Sequence, residues 1–375
     1  MMKKSFLVAF ILTSLLFNLK STNISDSLEV SLVTVSPGNE LYSTFGHSAI
    51  RIKDLIYGHD LIFNYGTFNP SIPFFYFKFA LGKLDYMLSV ENYDDFIQSV
   101  KYENRCAYEQ ILNFNKTEKI ALIMGLLNNY KPENRYYRYK FFTDNCATRI
   151  RDILNKSASD PTFLITTNVD SGKTFRQLFL PYLKYNPWSR FGINILLGAM
   201  ADRPAKIDAL FLPDKLKQAI DNSFIFNKKS VYSEKTLYTT NLNQKTSSFT
   251  PIIASIILFL FSIIAIRWKR FASTFDPILF IIIGFTGVFI TTLSFFSAHA
   301  ELHANYNILL FFPGLLLVPF LKKGKFKNIF CWTTLGIILL TLILFVLKII
   351  PQHIDNEIII LILAILIRIF FNTKN

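Results

Sequence analysis

The sequence predicts a two-part membrane protein: an α+β domain that is exported, followed by a C-terminal bundle of five transmembrane helices. Three observations carry this prediction. Apolar residues make up 51% of the 375-residue chain and charged residues only 18%, against about 25% charged in an average soluble protein. The apolar surplus is concentrated in the last third. The N-terminus runs from basic to apolar to polar, the order of an export signal. Mean hydropathy is +0.33, which excludes a disordered chain, a coiled coil and a typical cytosolic enzyme. Three cysteines are too few for a disulfide scaffold.

In chain order, Met1-Met2-Lys3-Lys4 precedes an apolar run from Phe6 to Phe17 and a polar exit from Asn18 to Asp26. That run is shorter than the ~20 residues a span needs, so residues 1–22 read as a signal peptide. Residues 23–245 read as the exported domain. Its early part holds β-rich runs at Leu28–Val35, His47–Ile52 and Leu61–Tyr65, separated by turn signals at Pro37-Gly38-Asn39 and Tyr57-Gly58-His59-Asp60. Helical patterns follow over Thr117–Tyr130, Asn145–Leu154 and Thr174–Leu183. The polar stretch Glu234–Ser248 suits a linker.

Residues 246–375 read as the membrane domain. Five apolar stretches, Pro251–Ile266, Pro277–Ser297, Tyr306–Leu321, Ile329–Ile350 and Ile358–Phe371, leave no polar face to wet. The first connection carries Arg267, Lys269 and Arg270, and the third carries Lys322, Lys323, Lys325 and Lys327. His299–Asn305 and Pro351–Glu357 carry no Lys or Arg, while the tail carries Lys374, with Arg368 near the end of the last helix. The positive-inside rule then places the C-terminus in the cytoplasm and the globular domain outside. Residues 249–375 hold ten Lys or Arg against four Asp or Glu, which leaves eight of the net +14 to the preceding residues. The charge marks topology and favours an anionic membrane surface. Nucleic-acid binding has no support, since there is no basic–aromatic motif and the domain is exported.

The exported domain has two histidines, His47 and His59, and two cysteines, Cys106 and Cys146. Gly46 before His47 permits a tight turn, after which Ala49-Ile50-Arg51-Ile52 continues as a strand. Asp144 or Asn145 can cap a helix whose first turn holds Cys146. A cysteine there feels the positive end of the helix dipole, which lowers its pKa. A facing His47 could take the thiol proton. Alternatively, Cys146 is a small buried hydrophobe, or it pairs with Cys106 in a disulfide. A third polar group orients such an imidazole; Asn64, His59 and Asp60 are candidates, with Asn64 favoured. The Cys146 N–H could contribute to an oxyanion hole. Cys331 reads as packing within a span. His299 and His303 are four apart but lack the H-E-x-x-H order and a third ligand. No metal and no cofactor is expected, and that loop reads as interfacial polarity.

The segments Phe45–Ile52 and Asp144–Asp152 resemble a permuted NlpC/P60-type, papain-like domain, in which the histidine strand precedes the cysteine helix. With Leu32–Gly38, Phe63–Phe68, Glu133–Tyr139, Phe211–Asp214 and His299–Asn307, the chain from about residue 28 onward resembles the Bacteroidetes lipoprotein N-acyltransferase family. The resemblance implies an inner-membrane enzyme with a periplasmic thiol acyltransferase domain. It implies Cys146 and His47 as catalytic residues, a phospholipid acyl donor and a diacylated lipoprotein acceptor. The competing expectations are a membrane-tethered cell-wall peptidase or amidase, a phospholipase, and a non-catalytic membrane protein with a Cys106–Cys146 disulfide.

Overall fold

The structure, a computed structural model, describes residues 27–161, 163, 169–170, 172–241 and 246–373. The expected signal peptide lies outside the described residues. Packing divides the chain into two units: residues up to Tyr182 together with Pro204–Gln244, and Leu183–Arg203 together with residues from Lys245 onward.

The first unit is built on an antiparallel sheet. Its strands are β1 (Leu28–Val35), β2 (His47–Asp54), β3 (Asp60–Thr67), β4 (Asp85–Asn92), β5 (Ala107–Leu112), β6 (Tyr136–Arg138) and β7 (Val231–Tyr238). They lie in the order β6-β4-β3-β2-β1-β5-β7. Side chains alternate between the two faces of a strand. Leu32, Ile50 and Phe63 face one core, which Leu122, Ala147, Ile150 and Leu216 complete from the helices. Val33, Ala49 and Ile62 face the opposite side, which Phe96, Ile97 and Val100 cover. Because helices cover both faces, β1 is buried at nearly every position rather than at every second one.

The helices of this unit are α1 (Phe75–Ala80), α2 (Tyr93–Tyr102), α3 (Lys116–Tyr130), α4 (Cys146–Ser157) and α5 (Phe175–Phe179). Asn115 caps α3 through a capping box with Glu118. The helix expected over Thr174–Leu183 is shorter. Thr174 caps α5, and a 3₁₀ turn follows over Leu180–Leu183, because Pro181 lacks the N–H an α-helix needs there.

The second unit begins with α6 (Pro187–Leu196); Pro213–Asn222, α7, returns to the first unit. The apolar helices are α8 (Pro251–Arg267), α9 (Lys269–Phe296), α10 (Asn307–Leu310), α11 (Lys325–Val346) and α12 (Asn356–Thr373). Among the described residues four segments are long and apolar enough to cross a membrane, and α8 is a shorter apolar helix. The third stretch is not one α-helix. It breaks into α10 and a 3₁₀ segment over Pro313–Phe320, which carries Pro313 and Pro319. This broken backbone lies close against α9: a Cβ at Gly287 would sit 1.8 Å from the Phe311 carbonyl oxygen. Small residues permit such approach between spans.

Two charged residues bear on the sequence reading. Arg368, near the end of the last helix as expected, is paired. It is 1% exposed and forms a two-pronged ion pair with Asp276 at 2.7 and 2.9 Å, while also donating to the Ser262 carbonyl at 3.1 Å. α11 ends at Val346, so Lys348 falls in the fourth connection. That connection therefore carries one positive charge.

Polar residues of the second and fourth connections hold α6. Asn305 Nδ2 donates to the carbonyls of Ile195 and Leu196 at 2.9 and 2.8 Å, and Asn307 Nδ2 donates to Ile195 at 2.9 Å. These are carbonyls a helix leaves without partners at its C-terminus. Asp355 accepts from Asn194, Arg190 and His353. Burial pushes its carboxyl up, but these partners hold it below the usual range.

Candidate active site

The site grows from two local devices. The first is the start of α4. Asn145 caps it: its Oδ1 accepts from the Thr148 N–H at 2.9 Å, and its own N–H donates to Thr148 Oγ1 at 2.8 Å. Its Nδ2 donates to the carbonyls of Phe141 and Phe211, both at 2.8 Å. Every polar group of the Asn145 side chain is thus used, and the cap is rigid. Asp144, the other candidate cap, is taken by Arg149 at 2.6 and 2.9 Å. Cys146 is therefore the first residue of the helix.

The second device is the pair of glycines around His47. Gly46 has φ +80°, and a Cβ there would sit 2.8 Å from the Val35 carbonyl oxygen, so the turn into β2 requires glycine. Gly66 has φ +94°, at a break in the β3–β4 register between Asn64 and Thr67. A Cβ on Gly66 would lie 3.6 Å from Cys146 Cβ and 3.8 Å from His47 Cε1. Both side chains therefore meet over a backbone that carries none.

Cys146 and His47 are hydrogen-bonded to each other. Burial pushes the Cys146 thiol up, but the His47 charge and hydrogen bond, with backbone bonds from Ser48 and Ala147, hold it below an ordinary thiol. Burial pushes His47 down, but Cys146 and Asn64 together leave its imidazole above the usual value. The shifts point the same way, toward a thiolate–imidazolium pair. Cys106 and Cys146 are both free thiols, so the disulfide alternative is absent.

Of the three candidates for the orienting group, the structure brings Asn64 to the imidazole. The β2–β3 register, Ile50 opposite Phe63, carried on by three residues puts His47 opposite Gly66. Asn64 is then its diagonal neighbour. Asn64 Oδ1 accepts from His47 Nε2 at 2.6 Å, which leaves Nδ1 to the sulfur. His59 lies at the far end of the hairpin, where its carbonyl accepts from the Asp54 N–H. Asp60 accepts from Arg51 at 2.7 Å in an ion pair that also includes Glu109.

Sequence reasoning missed Glu91. Asn64 Nδ2 donates to Glu91 Oε1 at 3.1 Å, extending the chain to Cys146–His47–Asn64–Glu91. Burial raises the Glu91 carboxyl, against opposing pulls from Asn64 and His47. The signal was the alternation of β4, where Tyr86, Leu88 and Val90 face the core and Ser89 and Glu91 face the other way.

Two tyrosines complete the surroundings. Tyr137 and Tyr139 are held well above the usual phenol range, first by burial and then by the Cys146 charge. The Tyr137 hydroxyl is buried without a hydrogen-bond partner among the described residues, and the Arg149 guanidinium lies 3.6 Å over its ring. Cys146 starts its helix, so its N–H has no partner within it. A negatively charged oxygen beside the sulfur would find this donor. Among the described residues no group of three His, Cys, Asp or Glu side chains could hold a metal ion. His303 Nε2 is instead 2.8 Å from the Ser297 carbonyl oxygen. Cys331 is buried among the apolar helices.

Such an arrangement places a thiol of lowered pKa beside an imidazole and an amide that orients it, the components that nucleophilic thiol chemistry needs. Curated proteins and solved structures yield no match to the chain. Two family descriptions do match: the Lnb N-terminal periplasmic domain over residues 18–180 and the Lnb transmembrane domain over residues 243–375. The first contains His47, Asn64, Glu91 and Cys146, the second all the apolar helices from α8 onward, and the chain belongs to the Lnb family, with a periplasmic N-terminal domain and a membrane-spanning C-terminal region.

Proposed function

We propose that the protein is a cysteine-dependent lipoprotein N-acyltransferase. The observation that carries this reading is the thiol of Cys146, lowered at a helix start beside an Asn64-oriented His47, in a chain that continues into a membrane domain. A cell-wall peptidase would need only one anchor. Several spans suit substrates that live in the bilayer.

In the first half-reaction the Cys146 thiolate attacks the carbonyl carbon of a phospholipid ester. The C–O bond breaks, His47 gives its proton to the leaving oxygen, and a lysophospholipid departs from the acyl-thioester. In the second, the α-amine of a diacylglyceryl-cysteine attacks that thioester. His47 takes the amine proton, the C–S bond breaks, and an amide forms on a triacylated lipoprotein. Amines attack thioesters readily, and the two steps share one site, so the kinetics are ping-pong. The N–H groups at the start of α4 suit the oxyanion of both tetrahedral intermediates. The positive-inside pattern completes the reading with a cytoplasmic C-terminus.

Mass spectrometry of lipoprotein N-termini tests the proposal. Cells whose only copy carries Cys146→Ala should accumulate diacylated lipoproteins with free amines. Full N-acylation in those cells would refute it. Lysophospholipid and free fatty acid without acylated peptide would identify a phospholipase instead.

A further inference from the structure

The segment between β3 and β4 breaks the rule that aromatic side chains are buried. α1 reads Phe75-Tyr76-Phe77-Lys78-Phe79-Ala80, yet none of its residues is buried. Phe74, just before it, is 81% exposed and Tyr76 is 71% exposed. Phe74 also has φ 57° and ψ 37°, a left-handed conformation rare for a bulky residue. Its carbonyl accepts the Lys78 N–H at 2.9 Å, so the strained residue is built into the helix start. Backbone strain of this kind gathers at functional positions.

The exposed rings lead inward. Phe75 packs on Phe68 with ring centres 5.2 Å apart. Phe68 packs on Tyr86 at 5.1 Å, and Tyr86 stacks on Tyr139 at 4.1 Å. Phe79 reaches Tyr139 directly at 5.8 Å. Tyr139 and Cys146 lie against the same core cluster, and Tyr139 feels the charge of the sulfur. A continuous aromatic wall therefore runs from the surface to Tyr139, which feels the Cys146 charge.

We propose that this wall is the entry site for a lipid acyl chain, with Phe74 and Tyr76 seated among the lipids of the bilayer. This rests on the reading that Cys146 takes its acyl group from a phospholipid. Three features select lipid as the occupant. Aromatic rings favour the boundary between headgroups and acyl chains. Lys78 and the exposed Lys83 flank the rings and match an anionic phosphate. The same polypeptide carries the membrane spans, so a bilayer is always within reach. Another exposed apolar cluster, Leu55-Ile56-Tyr57, sits at the far end of the β2–β3 hairpin from His47.

Photo-crosslinking tests the proposal. The full chain would carry benzoylphenylalanine in place of Phe74, Tyr76 or, as control, Tyr102, which is 93% exposed at the end of α2. Each would be reconstituted into vesicles of phosphatidylethanolamine and phosphatidylglycerol, irradiated and analysed by mass spectrometry. Phospholipid adducts are expected at positions 74 and 76 and not at 102. Equal adduct yields at all three positions, in protein that still forms an acyl-thioester on Cys146, would overturn the proposal. Adducts at 74 and 76 without any thioester would leave this surface standing and remove the acyltransfer reading instead. In a second arm, Phe74→Ser with Tyr76→Ser should raise the KM for phospholipid and leave the alkylation rate of Cys146 by iodoacetamide unchanged. An unchanged KM would also overturn it.

Discussion

Asn64 is held at both ends: its Oδ1 accepts from His47 Nε2 and its Nδ2 donates to Glu91. An amide has one accepting and one donating end, so the carboxylate of Glu91 decides which end faces the imidazole. The orientation of the base thus depends on a residue that never touches the sulfur.

Asn64→Ala should lower kcat/KM for phospholipid-dependent N-acylation by about 10²-fold, the scale of a misplaced catalytic group, with a small change in KM. Asn64→Asp should not restore activity, because a second carboxylate would face Glu91 and the two would raise each other's pKa. Glu91→Gln should cost less than Asn64→Ala and shift the pH profile. Steady-state acylation by the full chain in mixed micelles reads all three. Wild-type activity in Asn64→Ala would remove Asn64 from the mechanism.

The pH dependence follows from the two shifts. The Cys146 thiol lies below the ordinary 9.0, so its thiolate is lost only as the pH falls through the lowered folded value. The His47 imidazole lies above 6.5, so its proton is lost only as the pH rises through the raised folded value. Iodoacetamide labelling of Cys146 should therefore be fast at pH values where a free thiol is slow. His47→Ala should move the labelling curve to higher pH. Coincident curves for the two proteins would contradict the ion pair.

Asn145→Ala removes a helix cap and takes the donor from two carbonyls, the buried one of Phe211 and the part-buried one of Phe141. A cap alone contributes about 1 kcal/mol, and each buried unsatisfied group costs about 1–3 kcal/mol more. The unfolding free energy should fall by at least the first amount, and the labelling rate of Cys146 should fall with it. Thr148→Val removes only the reciprocal half of the cap and should cost less. Denaturant titration of the full chain in detergent separates the two variants.

The Arg368–Asp276 pair makes a prediction for the membrane domain. Removing one partner leaves a buried charge, at a cost of about 3–5 kcal/mol. Arg368→Leu or Asp276→Leu alone should sharply lower resistance to SDS unfolding. The double variant should recover much of the loss, because it leaves no charge unpaired.

The sequence singled out Cys146 and His47 because both residue types are scarce and each sits beside a local signal, a cap for Cys146 and a glycine turn for His47. Asn64 was accessible through strand adjacency. Glu91 was not, since its role needs the pairing of β3 with β4, and pairing is a long-range fact. The same limit applies to residues 183–203. They read as part of the exported domain, yet α6 is capped by Asn305 and Asn307, more than a hundred positions later. The broken third span was visible only as two prolines in an apolar run.

His47 and Cys146 are ninety-nine positions apart in the chain, and Ser48, which helps hold the thiolate, is almost as distant. Nothing near Cys146 in sequence can supply those partners. While the polypeptide threads through the export machinery as an extended chain, its cysteine is an ordinary, mostly protonated thiol. Reactivity appears only when the first strands and the helix starting at Cys146 have docked. The fold is in this sense a safety catch, activating the thiol only once the domain has folded in the periplasm.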